Sequence, residues 1–446
     1  MKIIRSDKLS VKVQQPEQRE ALDATLLVYR NLVRDLMTVM MTHWPALGRF
    51  DGNAVVKEIE QLIHPTSKRP EVRYPYFARR YYKFPSYLRR VAIMDAAGQV
   101  RSFNTRFERW RAGDRKKATV KPPQLVCATN TYPALYRGQC IRFNSDHSRA
   151  EIKVVHRGDW VWMAFGLAGD KRHIKQGRQL SPSLVNKRGR YMLSVPVERR
   201  VRLPSNADID RVLSVDVGIN TASTWAVIDA SGTVHARGFL GRSDKDREAR
   251  LIARIQKAAR QHTRHGCRLP PGFCARDHRR LRGLFDNAAH QISRRIVNEA
   301  LAHGAQAIAV EQLKGWRPTA GRRRSGLRQR FHRWFHRLLV ERIETKAAEA
   351  GLRTLAVYPR GTSSQAFDGS GKVRRDKGNA SLCTFPGGKR YNTDLNAAYN
   401  IAARGIVSIH RPAREGQAGA GRPKSASTPR SPVTLSSLWP TAMAAA

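Results

Sequence analysis

Three carboxylates stand out by the company they keep. Asp216 closes the apolar run VLSVD, Glu311 closes AIAVE, and Asp394 opens the helical stretch TDLNAAYN. Acidic side chains are seldom buried without a partner. Three that converged would repel one another unless cations lay between them. Hard oxygen donors in that number suit Mg²⁺ or Mn²⁺, which keep waters and accept phosphate oxygens as further ligands. Two such ions about 4 Å apart would activate a water and stabilise the leaving 3′ oxygen in phosphodiester hydrolysis. Singly, each residue has a plainer use. An Asp after a strand is a turn former or cap, a Glu after a strand a solvated loop residue, and Asp394 a partner for the helix dipole. Their order along the chain favours a shared site: strand Asp, two strands, helices, strand Glu, helix, strand, helix Asp.

The positioning elements can be read from the same half of the sequence. RVLSVDVGI, STWAVIDA and TVHARGFL are three apolar strands joined by tight turns, and AQAIAVEQL and LRTLAVYP are a fourth and a fifth. An Arg-rich helical region covers 243–302. A basic amphipathic helix covers 327–350, with Leu327, Phe331, Phe335, Leu338 and Leu339 on its apolar face and His332, Arg333, His336 and Arg337 off it. Upstream, residues 1–13 alternate as a strand. From 15 to 47 the apolar residues Leu22, Leu26, Val28, Leu32, Leu36 and Met40 recur at helical steps. Residues 139–200 are short alternating segments, which predict a small antiparallel sheet or barrel with the helices of 15–95 inserted into it. From 411 onward Ala, Gly, Pro and Ser without periodicity predict a disordered tail.

Charge narrows the function. The 446 residues carry 82 Lys and Arg against 35 Asp and Glu, a formal +47, and 61 of the basic residues are Arg. Arg is the side chain suited to forked phosphate contacts, and self-repulsion on this scale calls for a polyanion. A guide–target duplex of about 20 base pairs has roughly 40 phosphates, the same order as the surplus. Tyr74, Tyr76, Tyr81, Tyr82 and Tyr87 are interleaved with Arg79, Arg80 and Lys83, a pattern suited to base stacking and phosphate pairing or, equally, to a packed helical pair. Arg333, Arg337, Arg374, Arg375, Lys389 and Arg390 are further candidate nucleic-acid contacts. No apolar run reaches 18 residues and no apolar secretory segment opens the sequence, so no membrane is expected as a partner. Five scattered Cys exclude a disulfide framework and suit a reducing compartment.

The segments SVDVGINTASTWAVID, IAVEQLKGW, PRGTSS and DLNAAYNIAARG resemble the split nuclease motifs of the transposon-associated TnpB proteins and the compact type V CRISPR effectors related to them. The resemblance implies an α/β RNase H-like (RuvC) nuclease domain at 206–359 and 392–410. It also implies an N-terminal small β-barrel of the wedge type (1–14 and 96–205) with an inserted helical recognition lobe (15–95). The segment 360–391 would be a basic target-strand loading insertion, and 411–446 a disordered tail. Asp216, Glu311 and Asp394 would be the catalytic, metal-binding carboxylates, with Asn220 and Asn396 as supporting polar residues. The implied function is RNA-guided, Mg²⁺-dependent DNA cleavage beside a short flanking motif. A guided DNA binder that does not cut, or an RNA-independent transposase or resolvase with the same nuclease fold, are the alternatives. Guide RNA and double-stranded DNA are the implied partners, with the protein a monomer or homodimer in a prokaryotic cytoplasm, at the nucleoid. Family members commonly carry a zinc ribbon of two CxxC pairs before the last Asp. Here that stretch holds Cys383 alone, with Ala366 and Gly369 at the spacing of a first pair, so no zinc is expected.

Overall fold

The computed structural model describes residues 1–114, 124–125, 130–218, 221–264, 266–313, 336–376, 378–379, 381–410 and 432–439. Asn220 and Arg333 lie outside them. The chain divides into two units, one of residues 2–200 and the other of Met1 with 201–446.

The first unit begins with β1 (Lys2–Lys12), whose alternation turns Ile3, Asp7, Leu9 and Val11 inward. Five helices follow: α1 (Pro16–Thr42), α2 (Trp44–Leu47), α3 (Gly52–Ile63), α4 (Tyr76–Arg80) and α5 (Ser86–Arg111). Six strands complete the unit: β2 (Ile141–Phe143), β3 (Arg149–His156), β4 (Asp159–Ala168), β5 (Arg178–Gln179), β6 (Ser183–Lys187) and β7 (Arg190–Arg200). The sheet runs β2-β3-β4-β1-β7-β5, with β6 also on β7, and every pairing is antiparallel. The helices are therefore inserted after the strand at the middle of the sheet. Among the described residues no ladder joins β2 to β5, but an Ala134–Ser183 bridge ties the segment just before β2 to β6, on the far side of the sheet. The helices form no core of their own. Tyr29, Leu36 and Ile93 belong to the same apolar cluster as Leu9, Ile152 and Val195.

One boundary and one buried position differ from expectation. The inserted helices end near 111 and not at 95, because Leu88, Val91, Ala92, Ala96, Ala97 and Val100 continue one buried helical stripe through the expected break. In α1 the buried position is Tyr29 and not its half-exposed neighbour Val28; the Tyr29 hydroxyl donates to Asp95 Oδ2 at 2.6 Å and ties α1 to α5.

The second unit holds a five-stranded sheet in the order β10-β9-β8-β11-β12, formed by β8 (Arg211–Asp216), β9 (Ser223–Asp229), β10 (Val234–Leu240), β11 (Ala307–Glu311) and β12 (Arg353–Val357). The first three are antiparallel hairpins, and β11 and β12 run parallel to β8. β8 reads as an unbroken apolar run because both its faces are covered. Leu213 and Val215 meet α7 (Ala275–Ala302) and α8 (His336–Glu349), whereas Val212 meets α9 (Thr393–His410). Gly405 lets α9 lie close to the sheet, since a Cβ there would sit 3.0 Å from Ala309 Cβ. The remaining helix, α6 (Lys245–Thr263), buries Leu251 alone among its nineteen residues.

Between β12 and α9, a three-stranded sheet of β13 (Arg374–Arg375), β14 (Leu382–Thr384) and β15 (Arg390–Asn392) encloses an apolar core of Ala366, Cys383 and Phe385. Phe367 and Tyr391 pack against it, and the Lys389 ammonium lies over the rings of Phe367, Phe385 and Tyr391 at 4.8–5.8 Å. Gly369 has φ +80°, and a Cβ there would lie 2.6 Å from Ser436 Oγ, so the position favours glycine sterically.

The expected disordered tail is corrected at 432–439. Leu435 and Leu438 are buried against α9, Thr434 and Ser437 form a capping box, and Arg404 Nε donates to the Val433 carbonyl at 3.2 Å.

His336 is a second correction, since it lies on the buried stripe of α8 with Leu339, Ile343 and Ala347 and not off the apolar face. Burial lowers its pKa to about 4. A folded-state pKa below the unfolded value of about 6.5 makes the unfolded chain bind the proton first, so stability falls as pH drops from 6.5 toward 4. The loss at pH 5 should be about 2 kcal/mol. Thermal unfolding of the wild type and His336→Leu at pH 7.5 and pH 5 checks this: the variant should lose less stability on acidification.

Candidate active site

Asp216 and Glu311 end neighbouring parallel strands. Val215 and Val310 are paired in register, so the two carboxylates follow one residue later on strands about 4.8 Å apart. Side-chain alternation then fixes their direction. Leu213 and Val215 of β8 and Ile308 and Val310 of β11 face α7 and α8, so Asp216 and Glu311 face the opposite side, the one α9 covers. Asp394 lies in the first turn of that helix. Its turn is set by Asn392, whose Oδ1 accepts the backbone N–H groups of Asp394 and Leu395, both at 3.0 Å.

The electrostatics reflect that convergence. Asp216 is raised well above the usual carboxylate range, first by burial and then by the charges of Glu311 and Asp394. Burial also raises Glu311 and Asp394. The opposing influences are specific: Arg375 lowers Asp216 and Asp394, whereas a hydrogen bond from Thr362 and the charge of Arg404 lower Glu311. Thr362 Oγ1 lies 2.5 Å from Glu311 Oε1.

The loop that brings Thr362 to Glu311 is held by α9. Asn396 Nδ2 donates to the Gln365 carbonyl at 2.7 Å and its Oδ1 accepts the Phe367 N–H at 2.8 Å. Asn400, one turn on, donates to the carbonyls of Thr362 and Gln365. Arg404, one turn further, donates to the carbonyls of Tyr358 and Arg360. A stripe at i, i+4 and i+8 of one helix thus carries the loop. On the other side, Arg237 donates to the hydroxyls of Tyr391 and Tyr399, both at 2.8 Å, and secures β15 just before Asp394.

Replacing Thr362 with Val should raise the Glu311 pKa further and free its carboxylate to rotate. Stability should fall by about 1 kcal/mol. An NMR titration of the Glu311 carboxylate checks it: the midpoint should move to higher pH in Thr362→Val and stay in place in Thr362→Ser.

Comparison with known proteins agrees with this architecture. Residues 5–156 match the model of the Aq_aa04 family. The CRISPR-associated endodeoxyribonuclease Cas12f1 of Sulfoacidibacillus thermotolerans is 24% identical over 213 residues, 45% of this chain and 47% of that protein. The Cas12f1 of Syntrophomonas palmitatica is 25% identical over 169 residues, 35% of this chain and 31% of that protein. The matched regions thus span less than half of either relative. A cryo-EM structure of a Cas12f1–sgRNA–target DNA complex superposes with a TM-score of 0.54 at 11% identity, over 86% of this chain and 82% of that one. The chain is thus similar in sequence to the two Cas12f1 proteins over part of its length, and similar in fold to the Cas12f1 of that complex.

Within this fold the charges of Glu311 and Asp394 act on Asp216, and of the basic candidates Arg375, exposed on β13, acts on Asp216 and Asp394 through charge. Arg374 is exposed beside it. Arg390 pairs with Asp376 at 3.4 Å, and Arg337 with Glu341 at 2.9 Å within α8. In the first unit, Arg80 pairs with Asp35 and Lys83 with Asp159 while lying over the ring of Tyr82; Arg79 is exposed at the end of α4. Of the five tyrosines considered, Tyr82 is the most open, whereas Tyr74 and Tyr81 bond inward to His43 and Asp35. Sequence reasoning missed Thr362, Arg404 and Asn400. The four-residue spacing of Asn396, Asn400 and Arg404 was the available signal.

Divalent metal fits the donor set. Three half-buried carboxylates, with Asp216 raised first by burial and then by the charges of the other two, would offer a cation hard oxygen donors whose repulsion it relieves. They interact through charge at more than coordination range, since among the described residues no three His, Cys, Asp or Glu side chains are gathered closely enough to hold an ion.

Proposed function

We propose that the chain is an RNA-guided, divalent-metal-dependent DNA endonuclease. The observation that carries the reading is the convergence of Asp216 and Glu311, from adjacent strand ends, on the face where α9 presents Asp394. A binding protein gains nothing from three carboxylates that oppose one another's ionisation, whereas metal-dependent hydrolysis requires them. The relatives named as CRISPR-associated endodeoxyribonucleases, and the surplus of +47, support the same reading.

Asp216, Glu311 and Asp394 would hold Mg²⁺ or Mn²⁺. When bound, a pair of these ions would supply an activated water and charge for the leaving 3′ oxygen. The chain's own contribution is orientation. Thr362 fixes one oxygen of Glu311; Asn392 sets the first turn of α9 and with it Asp394. Arg375, facing two of the carboxylates, is placed to grip the scissile phosphate and to offset charge as it builds there. Sequence choice would come from pairing with the guide, and the first unit, with its basic and aromatic α4 region, would read the flanking motif.

The test is to express the protein with its native flanking locus, sequence the RNA that accompanies it, and offer a matched duplex with Mg²⁺. One discrete RNA and cleavage of the matched duplex are expected. A random sample of RNA with no cleavage would overturn the reading.

A further inference from the structure

A cleft on the far side of the sheet from the carboxylates has no role in that chemistry. It lies between α6 and α7 and has a volume of about 530 Å³. Four arginines line it, Arg247, Arg250 and Arg254 from α6 and Arg280 from α7, and the rest of its wall is Gly283 and two leucines. Arg254 is forked onto Asp277, with Nε 2.9 Å from Oδ2, and that bond holds Asp277 below the usual carboxylate range. Of the three acidic residues at the start of α6, Asp244 and Glu248 pair with Arg242 at 3.0 and 2.9 Å, and the third, Asp246, is exposed. Among the described residues, neither Arg247 nor Arg250 has a carboxylate within ion-pair distance, and both are exposed.

Like charges facing one cleft push its walls apart, and little opposes them, since α6 buries Leu251 alone. The geometry points to an anion that the fold itself does not supply. Arg247, Arg250 and Arg254 stand at i, i+3 and i+7, so they span about 10.5 Å of helix. That is the rise of roughly three nucleotides at about 3.4 Å each, which suits a polymer better than a single phosphate ion. Guanidinium forks match phosphate oxygens in pairs.

We propose that the α6–α7 cleft grips the phosphodiester backbone of a bound nucleic acid at a stretch remote from the bond to be cut. α7 packs on the face of the sheet opposite α9, so a stretch held here lies across the sheet from Asp216. The inference rests on the nucleic-acid part of the proposed function and is independent of whether the chain cuts.

The test uses the full chain with Arg247→Gln, Arg250→Gln and Arg280→Gln combined, leaving the Arg254–Asp277 pair in place. Fluorescence anisotropy with a labelled 20-nucleotide RNA and a labelled 20-base-pair DNA is followed from 50 to 500 mM NaCl. Removing about three cations from the phosphate backbone should reduce the slope of log K against log salt by about 2–3 and weaken binding at least tenfold at 0.15 M. The triple Arg→Lys variant should keep the slope. Loss confined to RNA places the guide in the cleft, and loss confined to DNA places the target there. Wild-type slopes with both ligands would overturn the inference alone, whereas a wild type that binds neither would overturn the nucleic-acid reading and this inference with it. If the Gln variant fails to fold, protection of Arg247 and Arg250 from phenylglyoxal by bound oligonucleotide decides: protection supports the cleft and full reactivity overturns it.

Discussion

Asp216→Asn should abolish cutting and at the same time make the nuclease unit more stable. Burial and the charges of Glu311 and Asp394 oppose ionisation of Asp216, so the folded protein carries a cost that an amide of the same shape removes. Active sites commonly hold such costs, and relieving one typically gains about 1 kcal/mol, or an unfolding temperature higher by roughly 2–4 °C for a unit of this size. The loss of activity should be on the order of 10³-fold, because a ligand to the catalytic cation disappears. RNA binding should stay unchanged. Cleavage rates, calorimetry and RNA affinity on the same preparation check all three, and an unchanged rate would remove Asp216 from the mechanism. A related sign follows for metal. Protons compete with the cation at carboxylates whose pKa is raised, so Mg²⁺ affinity should climb as pH rises above the ordinary carboxylate range, and the climb should be shallower in Asp216→Asn.

Arg375→Ala should lower cleavage about 100-fold, the scale of removing one charged group that faces a reacting phosphate. The side chain is exposed and acts on Asp216 and Asp394 through charge, so its removal has two effects of one sign. The scissile phosphate has one cation fewer, and the two carboxylates are left harder to ionise. Arg375→Lys should restore part of the rate, since it returns the charge without the fork. Single-turnover cleavage of a matched duplex by the three proteins measures this. Arg374→Ala is the control, and an equal loss there would mean that general basicity, not the position of Arg375, matters.

What the sequence disclosed depended on how local the cause was. β8 and β11 are buried on both faces, so their apolar runs are continuous and the acids that end them stand out. Thr362 and Arg404 gave no such sign, because their role arises only when the loop after β12 returns to α9. His336 looked like one cation-bearing position among others; the side of α8 it occupies is decided by packing against α7, which a short mixed helix does not announce. Residues 432–439 hold four apolar side chains, Val433, Leu435, Leu438 and Trp439, in too short a run within a Pro- and Ser-rich stretch to show a period, and their order comes from the surface that α9 offers. The end of α5 was missed for the opposite reason. Gly98 lies just past the expected end, and the buried stripe on either side of it outweighs the roughly 1 kcal/mol cost of a helical glycine.

The central position of β1 has a consequence for biosynthesis. Its partners are residues 166–168 of β4 and 192–200 of β7. At roughly 5–20 residues per second, a ribosome needs about 10–40 s to make the intervening chain. Over that interval α1 and α5, whose mutual contacts lie within the first 111 residues, can already pack, whereas β1 waits with its backbone groups unpaired. A strand in that condition is open to pairing with its counterpart on a neighbouring nascent chain. Sparse polysomes, which keep neighbouring nascent chains apart, should therefore favour soluble protein: the strand synthesised before every partner it has in the sheet is also the one that locks the sheet together last.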